Sequence, residues 1–411
     1  MSELQQTPSA NRLHIAILGK RNMGKSTLIN ALTGQSLAIV SAQPGTTTDP
    51  VYKAMEILPI GPCTIIDTAG LDDEGELGQL RVEKTLQVLR KTDIALLTIT
   101  AAGLTDFDSQ LLAQLRRNDI PVIVVINKQD QLRAEPELLA QLHQLGLPHL
   151  SLSAQHSDGI DSLKQLIIQH SPKTFEQPSL LGDLVQAGDS VVLVIPVDSG
   201  MPKGRLILPQ VQTMRDLLDN NVLFQVCKPE QLPTLLANMV TPPKLVITDS
   251  QVFQQVAAAT PDDIALTSFS ILFARHKGDL LKLVQGAKAL SQLSAGDKVF
   301  IAEACTHHCQ AEDIGRVKIP GWIRQHIEAE IEFGFCAGRD YPADLANYQL
   351  VIHCGACMLN RKEMLSRIEL SNRCGVPVLN YGLCIAAMHG ILDRALRPFA
   401  DVHQAWLDGK A

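Results

Sequence analysis

Aromatic side chains are scarce: Phe, Trp and Tyr make up 4% of the 411 residues, against 45% hydrophobic residues in all. Any core must therefore be built from Leu, Val, Ile and Ala. A basic excess is missing too. Lys and Arg number 36 against 43 Asp and Glu, a net charge of −7, which argues against a nucleic-acid protein with its usual basic face. Only a local basic patch would escape that count. Nor is there a long apolar run. The longest, Ile120–Ile126 and Val191–Val197, are strand-sized, far below the roughly 18–20 residues that span a bilayer. The opening MSELQQTPSANR lacks the charged-then-apolar build of a signal peptide. These absences predict a cytoplasmic protein with no membrane and no nucleic-acid partner. With 19% charged residues the chain is globular rather than disordered. Its length predicts two or three domains at roughly 150 residues each.

Residues 13 to 170 alternate short apolar runs with longer amphipathic ones. Leu13–Leu18, Thr64–Asp67, Ile94–Thr100, Pro121–Asn127 and His149–Ser153 read as buried parallel strands. Ser26–Leu32, Gln79–Arg90, Asp108–Arg117, Pro136–Leu145 and Ile160–Gln169 read as the helices between them. Such alternation is the mark of a doubly wound α/β domain. Ser171–Asp183, with two prolines and little periodicity, reads as a linker. Strands return at Ser190–Val197, Asn221–Val226, Lys244–Thr248 and Ile264–Thr267, with helices near Leu206–Leu218, Pro229–Ala237 and Gln251–Ala258. A third region follows the helix Asp279–Leu290, with strands at Lys298–Glu303, Gln349–His353 and Val376–Leu379. Three α/β units are expected, over residues 1–172, 180–268 and 269–411.

Gly19-Lys20-Arg21-Asn22-Met23-Gly24-Lys25-Ser26 fits G-x-x-x-x-G-K-[ST], with a strand before it and a helix after it. Amides from Gly19 through Met23, Gly24 and Thr27 can wrap a polyphosphate. Lys25 reaches its outer phosphates and Ser26 can ligate Mg²⁺. Asp67-Thr68-Ala69-Gly70 follows the strand CTIID, which puts Asp67 near Mg²⁺ and the Gly70 amide near the γ-phosphate. Asn127-Lys128-Gln129-Asp130 follows PVIVVI, and Ser153-Ala154 ends the next strand; both lie at carboxyl strand ends, where α/β ligands bind. Asp130 offers two oxygens that can accept from guanine N1–H and its 2-amino group. Adenine has neither donor, so ATP would leave the carboxylate unpaired.

Order and spacing of these motifs resemble the GTPase superfamily. Gly70 is followed by Leu71, not the water-orienting Gln of Ras-like enzymes. With Asn22 in the loop and Pro44-Gly45-Thr46-Thr47-Thr48-Asp49 at the switch I position, the chain is similar to the potassium-activated, TrmE-like GTPases. That resemblance implies GTP, Mg²⁺ and K⁺, with Asn22 holding K⁺ beside the phosphates. It also implies Thr47, or alternatively Thr46, as the switch I Mg²⁺ ligand. Lys25, Asn22, Gly70 and Thr47 are then the catalytic set. The bland alternative for Asn22 is a residue suited to a tight loop.

The third region carries Cys305-Thr306-His307 past one strand and His353-Cys354-Gly355-Ala356-Cys357 past another. Parallel strands would bring both exits to one sheet edge. In a reducing compartment, free, metal-binding or redox-active cysteines are favoured over disulfides. Three thiolates with nearby imidazoles suit either Zn²⁺ or an iron–sulfur cluster, and spacing does not decide between them. The alternative is a set of buried core cysteines. Of the nine cysteines, Cys63 and Cys227 read as packing residues, and Cys309, Cys336, Cys374 and Cys384 mostly so.

A TrmE-like GTPase followed by a middle α/β domain and Cys-x-His-x45-His-Cys-x-x-Cys resembles the HydF family, the [FeFe]-hydrogenase maturation GTPases. Pro44–Glu56 and Lys203–Gln210 are similar to that family too, so the resemblance covers essentially the whole chain. It implies an N-terminal P-loop GTPase domain, a middle dimerisation domain from about Leu180 to Ser268, and a C-terminal cluster-binding domain. It further implies a [4Fe–4S] cluster held by Cys305, Cys354 and Cys357, with His307 or His353 as possible fourth ligand. Activity would be that of a scaffold that takes a transient diiron precursor from the radical-SAM maturases HydE and HydG and delivers it to apo-[FeFe]-hydrogenase. Two other classes compete: a GTPase of RNA modification or ribosome assembly, and a GTPase with a purely structural zinc site.

Overall fold

The structure, a computed structural model, describes residues 8–34, 51–68, 87–172, 179–197, 204, 206–304, 313–338, 341–342 and 344–409. Two compact units divide at residues 177 and 178.

In the first unit, β1 (Leu13–Leu18), β2 (Val51–Ile57), β3 (Gly61–Asp67), β4 (Ile94–Ile99), β5 (Val122–Ile126) and β6 (His149–Ser151) form one sheet in the order β2-β3-β1-β4-β5-β6. β1, β4 and β5 are buried along their whole length, as central parallel strands covered on both faces must be. Alternate β1 residues serve two separate cores. Ala16 and Leu18 face one; Leu13, Ile15 and Ile17 face the other. β2 is the exception, antiparallel to β3 and alternately half-buried and exposed. The helices are α1 (Lys25–Thr33), α2 (Asp106–Arg117), α3 (Pro136–Gln144) and α4 (Ile160–His170). Thr105 caps α2 and accepts from the Asp108 amide, while Asp108 accepts from the Thr105 amide, satisfying two otherwise orphan donors.

The second unit holds two four-stranded sheets. β7 (Ser190–Val194), β8 (Leu223–Cys227), β9 (Leu245–Thr248) and β10 (Ala265–Ser268) run in the order β10-β9-β7-β8. β11 (Lys298–Glu303), β12 (Glu332–Ala337), β13 (Leu350–His353) and β14 (Val378–Asn380) run β12-β11-β13-β14. All their pairings are parallel. The first of these sheets carries α5 (Leu208–Asp219), α6 (Leu232–Asn238) and α7 (Phe253–Ala259). Then come α8 (Phe269–Lys277), α9 (Leu280–Gln292), α10 (Ile319–Ile327), α11 (Arg361–Arg373), α12 (Tyr381–Met388), α13 (Leu392–Leu396) and α14 (Ala400–Leu407).

The two sheets share one continuous apolar core from Leu180 to Phe399. α8 joins them, packing on β10 and β14 and on α11 and α12. Arg361 Nη1 fastens the join, donating to the carbonyls of Arg275, His276 and Gly278 at 3.3, 2.6 and 3.0 Å. These are carbonyls at the end of α8 that the helix itself leaves without partners. Gly286 lets α9 lie directly on β14, since a Cβ there would fall on the Val378 carbonyl.

Candidate functional site

The nucleotide motifs converge on the carboxyl edge of the first unit's sheet. After β1 the chain turns through Gly19 at φ 138°, Asn22 at φ 62° and Gly24 at φ 83°. A side chain at Gly19 would fall on the Thr98 carbonyl, and one at Gly24 on Asn127 Nδ2, so both glycines are required by close approach as well as by φ. Asn22 is exposed and is among the few residue types that tolerate the left-handed region. α1 then begins at Lys25 with no side chain capping its first amides, which leaves donors and a positive dipole end aimed at the loop. Lys25 is buried, and its Nζ donates to the carbonyls of Gly19 and Lys20, both at 2.7 Å.

Ser26 Oγ donates to Asp67 Oδ2 at 3.5 Å. A hydroxyl and a carboxylate set face to face in this way form the donor set that Mg²⁺ takes. Burial raises the Asp67 pKa, against the lowering pull of Lys25, Lys53 and Ser26. Thr68 Oγ1 donates to the Ile17 carbonyl at 2.7 Å, tying the end of β3 to β1. Gly70, Leu71, Thr46 and Thr47 lie outside the described residues.

Asn127 is buried and works as a clamp. Its Nδ2 donates to the Met23 carbonyl at 2.9 Å, and its Oδ1 accepts from the Ala154 amide at 3.0 Å. One side chain thus joins the phosphate loop to the Ser153-Ala154 segment. Lys128 follows at φ 64°, turning the chain so that Asp130 is exposed. Ser153 Oγ donates to Asp130 Oδ1 at 2.6 Å and holds that carboxyl below the ordinary range. Asp130 therefore stays ionised and acts only as an acceptor. Ser153 was expected only at a strand's carboxyl end; its bond to Asp130 is visible only in three dimensions.

The second candidate site lies on the carboxyl edge of the sheet β12-β11-β13-β14. Ala302, His353 and Asn380 stand in one row across β11, β13 and β14. The strand leading to Cys305 therefore exits beside Cys354, the adjacency expected of two parallel strands. The Ala304 amide donates to Cys354 Sγ at 3.1 Å, a contact that stabilises a thiolate sulfur. Ala356 sits at φ 53° in the turn between Cys354 and Cys357, and both thiols are partly exposed and free of disulfides. Cys305 and His307 lie outside the described residues, and among those described no three His, Cys, Asp or Glu side chains form a metal-binding group. The chemistry of the described donors, two thiols outside any disulfide with an amide aimed at one sulfur, fits a thiolate-bound metal.

His353 is the last residue of β13, where the expected strand Gln349–His353 also ended, and it is fully buried. Its Nδ1 donates to the Cys354 carbonyl at 2.9 Å, and its Nε2 accepts from Arg367 Nη1 at 3.1 Å. A guanidinium only donates, which fixes the tautomer. Burial, then Arg367, pushes the His353 pKa down to about 3. To ligate a metal this imidazole would have to surrender one of those bonds. Arg367, itself buried, also donates to the Gly338 carbonyl at 2.8 Å and pairs with Glu363 at 3.4 Å.

Glu303, Arg316 and Tyr381 also line this edge, and no sequence signal marked them. Glu303 ends β11, is buried, and accepts from Arg316 Nε at 3.3 Å. Burial raises the Tyr381 pKa well above its usual value, so the phenol keeps its proton. Of the other cysteines, Cys63 is pushed up to about 12 by burial, and Cys384, fully buried, is also raised. Both behave as packing residues.

Three family models match the chain. The 50S ribosome-binding GTPase model covers residues 14–128, the hydrogen maturase F dimerization domain 180–278, and the hydrogen maturase F tetramerization domain 281–398. GTPase Der of Solidesulfovibrio magneticus is 38% identical over 162 residues, 39% of this chain and 36% of that one. GTPase Der of Chlamydia felis is 37% identical over 172 residues, 40% of this chain and 36% of that one. The chain thus spans about a third of the length of these relatives. Among solved structures, Era of Aquifex aeolicus bound to GDP and aluminium fluoride matches at 24% identity and a TM-score of 0.36, over 52% of this chain and 92% of that one. With two hydrogen maturase F domains following a GTPase domain, the chain belongs to the HydF family.

Proposed function

We propose that this protein is a GTP-hydrolysing scaffold of hydrogenase maturation. It holds a [4Fe–4S] cluster and hands a diiron precursor, received from HydE and HydG, to apo-[FeFe]-hydrogenase. The observation that carries the cluster half is the Ala304 amide on Cys354 Sγ, beside the exit of the strand that leads to Cys305. The domains are read as GTPase (1–172), dimerisation (180–268) and cluster-binding (269–411).

In the nucleotide half, Asp130 accepts from the guanine edge. Lys25 leaves the loop carbonyls for the outer phosphates, and the amides at the start of α1 take the remaining charge. Ser26 and Thr47 would hold Mg²⁺, with Asp67 behind them. Asn22 would hold K⁺, whose charge offsets that developing on the phosphates in place of the missing Gln. In the other half, Cys305, Cys354 and Cys357 would hold the cluster, with His307 or His353 beside its fourth iron. When bound, the cluster would supply one iron able to exchange that ligand.

The dimer is read as forming through β8, an edge strand with Leu223 and Val226 exposed at 68% and 47%. The seven described cysteines form no disulfide, and the setting is read as reducing and cytoplasmic. Among the described residues no helix is long and apolar enough to cross a membrane.

Separability tests the whole reading. Lys25→Ala should abolish hydrolysis and leave iron content unchanged, while Cys305→Ser, Cys354→Ser or Cys357→Ser should lose the cluster and keep basal hydrolysis. Both classes should fail to activate apo-hydrogenase with the two maturases. A serine variant that kept full iron would remove that cysteine from the ligand set.

A further inference from the structure

Tyr381 begins α12 directly after β14, two strands away from β11. Its hydroxyl nevertheless reaches the β11 side of the edge. A Cβ on Gly315 would fall on that hydroxyl and would stand 2.7 Å from Glu303 Oε1. Cys354, which leaves the sheet from β13 between those two strands, and Glu303 are both among the groups acting electrostatically on the phenol. Gly315 belongs to a single π-helical turn, Ile314–Lys318, and its lack of a side chain is what makes room. The hydroxyl is sealed from solvent and has no hydrogen-bond partner among the described residues. A buried O–H without an acceptor is costly, and folded proteins keep few of them. Glu303, whose Oε1 lies beside Gly315, receives Arg316 on its other oxygen.

We infer that the Tyr381 hydroxyl donates a hydrogen bond to a sulfide of the centre that Cys354 helps to hold. Tyr381 is then a positioning residue and not a ligand. It acts with the Ala304 amide, two donors converging on one sulfur-rich edge from opposite neighbouring strands. Hydrogen bonds to cluster sulfurs stabilise the more negative, reduced state and raise its potential. The inference rests on the cluster reading above.

Tyr381→Phe keeps the ring and removes only the donor. The full chain is reconstituted anaerobically with iron and sulfide, its iron counted, and its potential titrated by EPR. Iron content should match the unsubstituted protein. At a fixed poise the ratio of reduced to oxidised centre should fall on the order of tenfold, ~59 mV for a one-electron couple. Site-specific 3,5-difluorotyrosine, a stronger donor of nearly the same shape, should move the potential the opposite way, and this arm decides if the phenylalanine variant fails to fold. Equal iron with an unmoved potential would overturn the inference while leaving the cluster reading intact. Failure of the unsubstituted protein to take up any iron–sulfur centre would overturn both.

Discussion

Ser153 Oγ donates to Asp130 Oδ1 across 2.6 Å, so the residue expected to read the base is held in place by the strand end next to it. One oxygen is occupied, the carboxylate is kept ionised, and the group faces outward as an acceptor. Guanine nucleotides should bind and adenine nucleotides should not. Asp130→Asn should weaken GTP on the order of a hundredfold or more and favour xanthosine nucleotides, whose carbonyl matches the new amide donor. Ser153→Ala should cost about tenfold, the value of one hydrogen bond to a charged group. Titration with GTP, XTP and ATP decides it; equal affinity for ATP and GTP contradicts the assignment.

Hydrolysis should be several-fold faster in K⁺ than in Na⁺, because Asn22 stands at φ 62° at the rim of the phosphate loop. Asn22→Ala should blunt that difference. Indistinguishable rates in the two salts would leave Asn22 as a loop residue only.

Asp67 links stability to pH in a definite direction. Its folded pKa is raised by burial, so between the unfolded and folded values the native state binds the extra proton. Its favourable contribution is full at acid pH and is lost as pH rises through the folded value. At neutral pH the buried charge is a cost that Mg²⁺ binding would repay. Asp67→Asn should therefore raise the unfolding temperature of the nucleotide-free protein at pH 7, abolish Mg²⁺-dependent hydrolysis, and flatten the pH dependence. A fall in that temperature would contradict this.

Oligomer state should respond to the β8 edge. A twofold axis pairs a strand with its own copy antiparallel, and exposed edges are what such pairing covers. Leu223→Lys with Val226→Lys should shift light scattering towards monomer without loss of GTP hydrolysis. An unchanged mass would place the dimer elsewhere.

Much of this was legible in the sequence because it depends on local order. The phosphate loop, Asp67, Asn127 and Asp130 follow apolar strands, and strand exits on a parallel sheet must share an edge. β2 was not legible, since its VYKAMEI run is half polar and its place depends on pairing with β3. α8 escaped as well: FSILFARHK is buried on several faces, so it lacks the amphipathic period that marks a surface helix. The shared core of the second unit, the Arg361 clasp and the Glu303–Tyr381 edge arise from residues far apart in the chain and carry no spacing signal.

The central claim is that one chain carries both a guanine-nucleotide site and an iron–sulfur centre at Cys305, Cys354 and Cys357. Anaerobic reconstitution of the full chain with iron and sulfide, read by iron content, cluster absorption and EPR of the reduced protein, tests it most directly. The account predicts a brown protein with about four irons per chain and a reduced-cluster EPR signal, lost in Cys354→Ser. A colourless protein that instead binds one zinc tightly would contradict it.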